Sequence, residues 1–329
     1  MILGSFEMTA PVVLAPMAGL TDMPFRETCR ECGANFAVAE MTASREDLRG
    51  RKKSQTRWVE PAEIRPRVVQ LLGSDPQSIA DAARAAEEAG ADWVDINMGC
   101  PAKKVLQSAC GSALLKDEAL VGRILEAAVQ AVRIPVTLKT RTGWDRDHKR
   151  APVIARIAES AGVAMIVVHG RTRADGFSGE AEYDTIREVK AAVKIPVIAN
   201  GDIDSAEKAV HVLSETGADG IMIGRAAIGR PWIFQEVAAA LRGDPVPVVS
   251  PDVREAVIRR HMIRHFDYYE GRRGGLLIRR HLTAYFRGTP DPEKYLPRLL
   301  RAEDREEAMR LAENLFAEGR LLCARSDEP

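Results

Sequence analysis

The chain has 329 residues, 46% of them apolar, with 47 basic and 47 acidic side chains. That length suits one large domain with a smaller companion, and the neutral balance excludes capture of a polyanion by overall charge, leaving that role to a local basic surface. No stretch reaches the ~18 uninterrupted apolar residues of a membrane span, "MILGSFEMTAP" has no signal-peptide pattern, and five cysteines, an odd number, suit reduced thiols in a cytoplasmic protein.

Eight β-branched, apolar runs follow in chain order: "VVLAPM" (12–17), "FAVAEM" (36–41), "RVVQLLG" (67–73), "DWVDINM" (92–98), "IPVTLKT" (134–140), "AMIVVHG" (164–170), "IPVIANG" (195–201) and "DGIMIGR" (219–225). Most are nearly continuous rather than alternating, as expected of parallel strands covered on both faces. Between them lie amphipathic stretches such as "PQSIADAARAAEEAG" (76–90) and "DSAEKAVHVLSETG" (204–217), which open near Asp or Ser and close at Gly, as capped helices do. Eight βα units predict an α/β fold, a (β/α)8 TIM barrel, over residues 1–242. A doubly wound sheet is the rival, but no G-x-G-x-x-G follows the first strand. Beyond Pro245 the strand runs stop. The proline-containing "GDPVPVVSPD" (243–252) reads as a linker, and residues 246–329 as a helical C-terminal domain.

In such a barrel, function gathers where strands end. Here the strand ends carry Pro16, Met17 and Ala18; Glu40; Gln70; Asn97 with Cys100; Lys139 with Arg141; His169 with Arg171; Asn200, Gly201 and Asp202; and Gly224 with Arg225. Gly201 and Gly224 close the seventh and eighth strands, where barrels often bind phosphate, and a helix starting near Arg225 would offer free N–H groups. Tight turns alone are the plainer account of both glycines. Lys139 could form a Schiff base, as in aldolases, could set positive charge against an electron-rich ring, or could simply pair with a carboxylate. His169 has no partner at metal-ligand spacing, so no metal is expected. Cys29 and Cys32, a lone C-x-x-C, read as buried small side chains. In "DINMGCPAKKVLQSACGSALL" (95–115), Cys100 stands just past a strand end, while Cys110 opens the next helical stretch.

The motifs "APMAGLTDMPFR", "DINMGCPAKKV", "LKTRTGW", "VVHGRTR", "IANGDI" and "IGRAAIGRPW", with "IRRHLTAYFRG" in the tail, together resemble the tRNA-dihydrouridine synthases, closest to their bacterial B branch. The resemblance spans nearly the whole chain. It implies an FMN-binding catalytic barrel and a helical tRNA-binding domain. The implied reaction is NADPH-driven reduction of the C5–C6 double bond of a uridine, in the D-loop if the branch holds. The flavin contacts it implies are Pro16, Met17, Ala18, Gln70, Lys139, His169, Asn200, Gly201, Asp202, Gly224 and Arg225. Cys100 becomes the proton donor to C5, and Asn97 and Arg141 fall near the uracil. Between Arg254 and Arg287 nine arginines face three acidic residues, with Tyr268, Tyr269, Tyr285 and Phe286 among them. On this reading they serve phosphate contacts and stacking, with Arg279 and Arg280 the named tRNA contacts. No membrane and no obligate protein partner is expected. The alternatives are an FMN barrel reductase of a small pyrimidine, a non-catalytic flavin- or RNA-binding protein, and a Schiff-base aldolase using Lys139.

Overall fold

Each of the eight predicted runs supplies one strand: β1 (Val12–Leu14), β2 (Ala37–Val38), β3 (Arg67–Leu72), β4 (Trp93–Met98), β5 (Val136–Arg141), β6 (Met165–His169), β7 (Val197–Asn200) and β8 (Gly220–Ile223). All are parallel, each pairs with its chain neighbour, and β8 pairs back onto β1, which closes the ring. The computed structural model describes residues 1–49, 56–269, 271–287, 292–302 and 304–326. Glu270 and the side chains of Arg272, Arg273 and Cys323 lie outside the described part.

The intervening helices form where caps and apolar spacing require them. Helix Pro76–Glu88 opens on Asp75, whose carboxylate accepts the Ser78 N–H at 2.7 Å, and it buries Ile79, Ala82, Ala83 and Ala86 on one face. Helix Ala206–Thr216 opens on Ser205 and stops at Gly217, whose φ of +65° is the left-handed cap that glycine adopts without strain.

Outward strand residues such as Val94, Ile96 and Leu138 pack against these helices. Inward residues at the N-terminal end form a separate apolar plug. There the hairpin Ile2–Leu3/Phe6–Glu7, which the sequence pattern did not reveal, brings Leu3 and Met8 onto Phe36, Trp93 and Met165. Trp93 meets Phe36 edge-on, with ring centroids 5.0 Å apart.

The C-terminal segment is helical, as expected: Pro251–Tyr268, Gly271–Tyr285, Pro292–Leu299 and Arg305–Ser326. The linker is shorter than its prolines suggested, because Ser250 caps the first of these helices and Pro251 occupies its first turn. The helices share an apolar cluster with Cys32 and Trp232 of the barrel side. Gly229 lets helix Gly271–Tyr285 approach closely, since a Cβ there would lie 2.8 Å from Ala284.

One buried ion pair ties the first barrel helix, Met23–Glu31, to the loop before β3. Arg26 donates to both Glu63 carboxylate oxygens at 2.6 Å, and both side chains are buried. Removing one member strands the other charge out of water. Glu63→Ala should therefore cost about 3–5 kcal/mol, against at most about 1 kcal/mol for Asp81→Ala at the exposed Arg84 pair. Chemical denaturation of the two variants beside the parent checks this, and equal losses would contradict it.

Candidate functional site

Strand alternation decides which side chains meet. On β4 the inward set is Trp93, Asp95 and Asn97, and on β5 it is Thr137, Lys139 and Arg141, with Asn97 opposite Lys139 in register. The same alternation turns Gln70, His169 and Asn200 inward near the C-terminal ends of β3, β6 and β7. They open into a cavity of about 1170 Å³. Pro16, Met17, Ala18, Gln70, Asn97, Cys100, Lys139, Arg141, His169, Asn200, Gly201, Asp202, Gly224 and Arg225 all line it. Arg279 and Arg280 do not. They are exposed on helix Gly271–Tyr285, and the Arg280 guanidinium stands 3.9 Å from where a Gly19 Cβ would be, beside the cavity wall at Ala18 and Leu20.

A chain of buried hydrogen bonds leads from the barrel interior to Cys100. Asp95 accepts from Thr137 Oγ1 at 2.6 Å and from Gln70 Nε2 at 2.7 Å. Gln70 in turn accepts from Asn97 Nδ2 at 2.9 Å, and Asn97 Oδ1 receives the Cys100 N–H at 3.0 Å. The Cys100 carbonyl accepts from Ser112 N and Oγ. Gly111 (φ +61°) allows this closeness, because a Cβ there would lie 2.7 Å from that oxygen. Burial pushes the Cys100 thiol above its ordinary value, against the opposing influence of the Ala102 N–H and the Arg141 charge. The thiol is thus protonated at neutral pH. Cys110 is buried apart from the cavity, its Sγ donating to the Ser108 carbonyl at 3.1 Å. Cys29 and Cys32 are buried free thiols, also as expected.

The wall that continues from β5 round to β8 is cationic. Lys139 Nζ donates to Asn200 Oδ1 at 2.9 Å and, among the described residues, forms no ion pair. Burial, helped by the Arg141 charge, lowers it to about 8. Arg141 donates to the carbonyls of Gly99, Thr172 and Gly176 and is pulled down to about 10, first by burial. Burial and the surrounding Lys139, Arg141, Arg171 and Arg225 charges drive His169 far down, so its ring is neutral. Asp202 receives a two-pronged pair from buried Arg171, at 2.9 and 2.6 Å, and a bond from Arg225 at 2.8 Å. Gly201 (φ +128°) presents bare backbone here, where a Cβ would strike Ala181 at 2.7 Å.

Two expectations change. What starts at Arg225 is a single three-residue 3-10 turn, Arg225–Ala227, rather than a helix, so its N–H groups do not act as a helix terminus. The tail aromatics are not a stacking surface: Tyr269, Tyr285 and Phe286 are buried, and Tyr268 donates to Glu60 at 2.6 Å. Arg260 and Arg264 pair with Glu31, and Arg259 with Glu255 and Glu313. Arg279, Arg280 and Arg287 remain exposed. Sequence reading also missed Phe177. This ring is 62% exposed at the cavity edge and lies beneath the Arg141 and Arg225 guanidiniums, 5.4 and 5.9 Å away. A lone aromatic inside the glycine-flanked "ADGFSGE" gives no periodic signal.

The dihydrouridine synthase family model matches residues 13–318. The tRNA-dihydrouridine synthase B of Pseudomonas syringae pv. tomato is 49% identical over 318 residues, covering 96% of this chain and 94% of that protein. Its namesake from Vibrio cholerae serotype O1 is 49% identical over 286 residues, covering 87% of this chain and 89% of the relative. A solved variant of NCR from Zymomonas mobilis shares the fold, with a TM-score of 0.52 at 16% identity, over 77% of this chain and 93% of that one.

Among the described cysteines, exposure ranks the thiols. Alkylation of the native protein by iodoacetamide should label Cys100 before Cys29, Cys32 or Cys110. Its rate should climb with pH beyond the ordinary thiol range of about 8.5, because only the thiolate reacts and burial raises this pKa. Peptide mapping across a pH series reads this, and a plateau already at neutral pH would refute it.

Proposed function

Since the chain belongs to the dihydrouridine synthase family, we propose that it acts as a tRNA-dihydrouridine synthase, using FMN and NADPH to reduce the C5–C6 double bond of a D-loop uridine. The class, a flavin-dependent oxidoreductase, follows from the family. The observation that carries the finer reading is that Asn97, Lys139 and Arg141 from paired strands, and Cys100 from the loop after β4, open into one cavity.

FMN fits the residues present. The cavity, about 1170 Å³, exceeds the roughly 300–1,000 Å³ of most small-molecule sites and leaves space for a base beside a cofactor. Lys139 is a half-buried cation bonded to a neutral amide, which an electron-rich ring would complement. Arg225, with the bare backbone at Gly201 and Gly224, offers an anion-binding rim at β7 and β8. Pro16, Met17, Ala18, Gln70, His169, Asn200 and Asp202 would complete the cofactor's surroundings. In this cavity FMN would supply the hydride that uracil C6 receives.

The chain's own part is the proton and the positioning. Cys100, kept protonated by burial, gives its proton to C5. The Arg141 charge acts on that sulfur and eases the thiolate left behind. Asn97 holds the Cys100 loop through its Oδ1 and faces the base from β4. The uridine has to leave the tRNA body to reach this depth, as bases do for enzymes that act on them. Residues 1–242 would be the catalytic domain, and 246–329 the tRNA-binding domain, with Arg279 and Arg280 beside the rim as phosphate contacts. A small free pyrimidine is the second reading, favoured by the tail arginines and aromatics that are engaged inside the protein.

Cys100→Ala should keep FMN and tRNA affinity while dihydrouridine formation falls about 10²–10⁴-fold. Mass mapping of tRNA after single turnover checks this, and a parental rate would remove Cys100 from the reaction. Arg279→Ala with Arg280→Ala should weaken tRNA binding and reduce the slope of log affinity against log salt by about 1–2. Unchanged binding at every salt concentration would favour the free pyrimidine.

A further inference from the structure

Three of the chain's six histidines, His261, His265 and His281, lie buried together where the C-terminal helices meet the barrel's first helix. Each has one ring nitrogen engaged. His265 Nε2 donates to the Gly274 carbonyl at 3.1 Å and His281 Nε2 to the Leu20 carbonyl at 3.0 Å, while His261 Nδ1 bonds the Tyr285 hydroxyl at 2.8 Å. A carbonyl only accepts, so Nε2 carries the proton in His265 and His281, and each Nδ1 presents a lone pair. His261 Nε2, His265 Nδ1 and His281 Nδ1 are all buried with no hydrogen-bond partner. Three orphaned nitrogens in one place are an unusual burden for a native interior.

Asp22 faces them. Its Oδ1 caps helix Met23–Glu31 by accepting the Phe25 N–H, and its Oδ2 stands 3.5 Å from His265 Nδ1. That separation is long for a hydrogen bond. It matches the edge of a tetrahedron, roughly 3.3–3.6 Å, between two donors each about 2.0–2.2 Å from a central ion. One donor atom from each of Asp22, His261 and His265 lies within 4.8 Å of the other two. His261 and His265 are four residues apart, on one face of helix Pro251–Tyr268.

We propose that Asp22, His261 and His265 bind one divalent first-row transition ion of the zinc class, clipping the C-terminal helices to the barrel. Two imidazoles and a carboxylate form a borderline donor set that suits Zn²⁺ or Co²⁺ better than Mg²⁺ or Ca²⁺. The hydrogen bonds on the far side of each ring are the outer partners that metal-bound histidines use to fix their orientation. His281, its ring centroid 4.9 Å from that of His261, offers a further imidazole beside the three, and water is the alternative fourth donor. The clip joins positions far apart in sequence and steadies the loop from Met17 to Asp22, part of which walls the cavity.

The test uses tag-free, full-length protein purified without a metal resin. Metal content should approach one equivalent per chain, and removal by a chelator should lower the melting temperature by several degrees, with Zn²⁺ restoring it. Co²⁺ should give the absorption of a nitrogen- and oxygen-bound tetrahedral ion. His261→Asn with His265→Asn should lose the metal. Four results overturn the proposal: stripped protein that takes neither Zn²⁺ nor Co²⁺ from a competing indicator, binding with no shift in melting, a thiolate-to-cobalt band that moves the ion to cysteine, or full metal content in the folded double variant. If that variant does not fold, the parent's cobalt spectrum and titration decide alone. A proton shared between Asp22 and His265 corresponds to the first of these results.

Discussion

Closing eight parallel strands into a ring turns every second side chain into a space that water cannot freely fill, and each polar group placed there must find a partner. Asp95 shows the consequence. Burial raises its carboxyl above the usual range, and Thr137 and Gln70 hold it against that push. Gln70 has then committed its amide nitrogen to Asp95, so its oxygen orients Asn97, and Asn97 positions the Cys100 loop. The candidate proton donor therefore owes its place to a satisfied carboxylate deeper in the barrel. The site follows from this requirement as much as from any single residue.

The barrel was legible in the sequence because its signals are local. Apolar runs of strand length, helix caps such as Asp75 and Ser205, and polar strand ends each declare themselves within a few residues. The fourteen cavity residues named from strand ends and family motifs line one cavity for the same reason, since fixed alternation and register bring them together. What the sequence could not show depends on partners far along the chain. Whether Arg264 faces solvent or Glu31, and whether Tyr285 faces a base or His261, is decided by tertiary packing. The histidine cluster was hidden likewise: His261 and His265 stand near each other in sequence, but Asp22 lies at the other end of the chain.

Much of the tail's arginine and aromatic content is therefore interface. Arg264 also reaches Thr28 Oγ1 at 3.1 Å, and Arg254 sits 5.6 Å over the Trp232 ring. With Gly229 admitting Ala284, the helices rest on the barrel through apolar burial, ion pairs and one close backbone approach. The exposed arginines that remain are carried on a frame held fixed relative to the cavity.

The N-terminal hairpin bears on how such a barrel is entered. Leu3 and Met8, packed on Phe36, Trp93 and Met165, stopper the end opposite the cavity with buried side chains. With its base sealed, the barrel opens at its C-terminal strand ends. The cavity is therefore entered from the face where the strand ends gather. The stopper thus gives the barrel a direction: what is packed at one end settles from which side the other is approached.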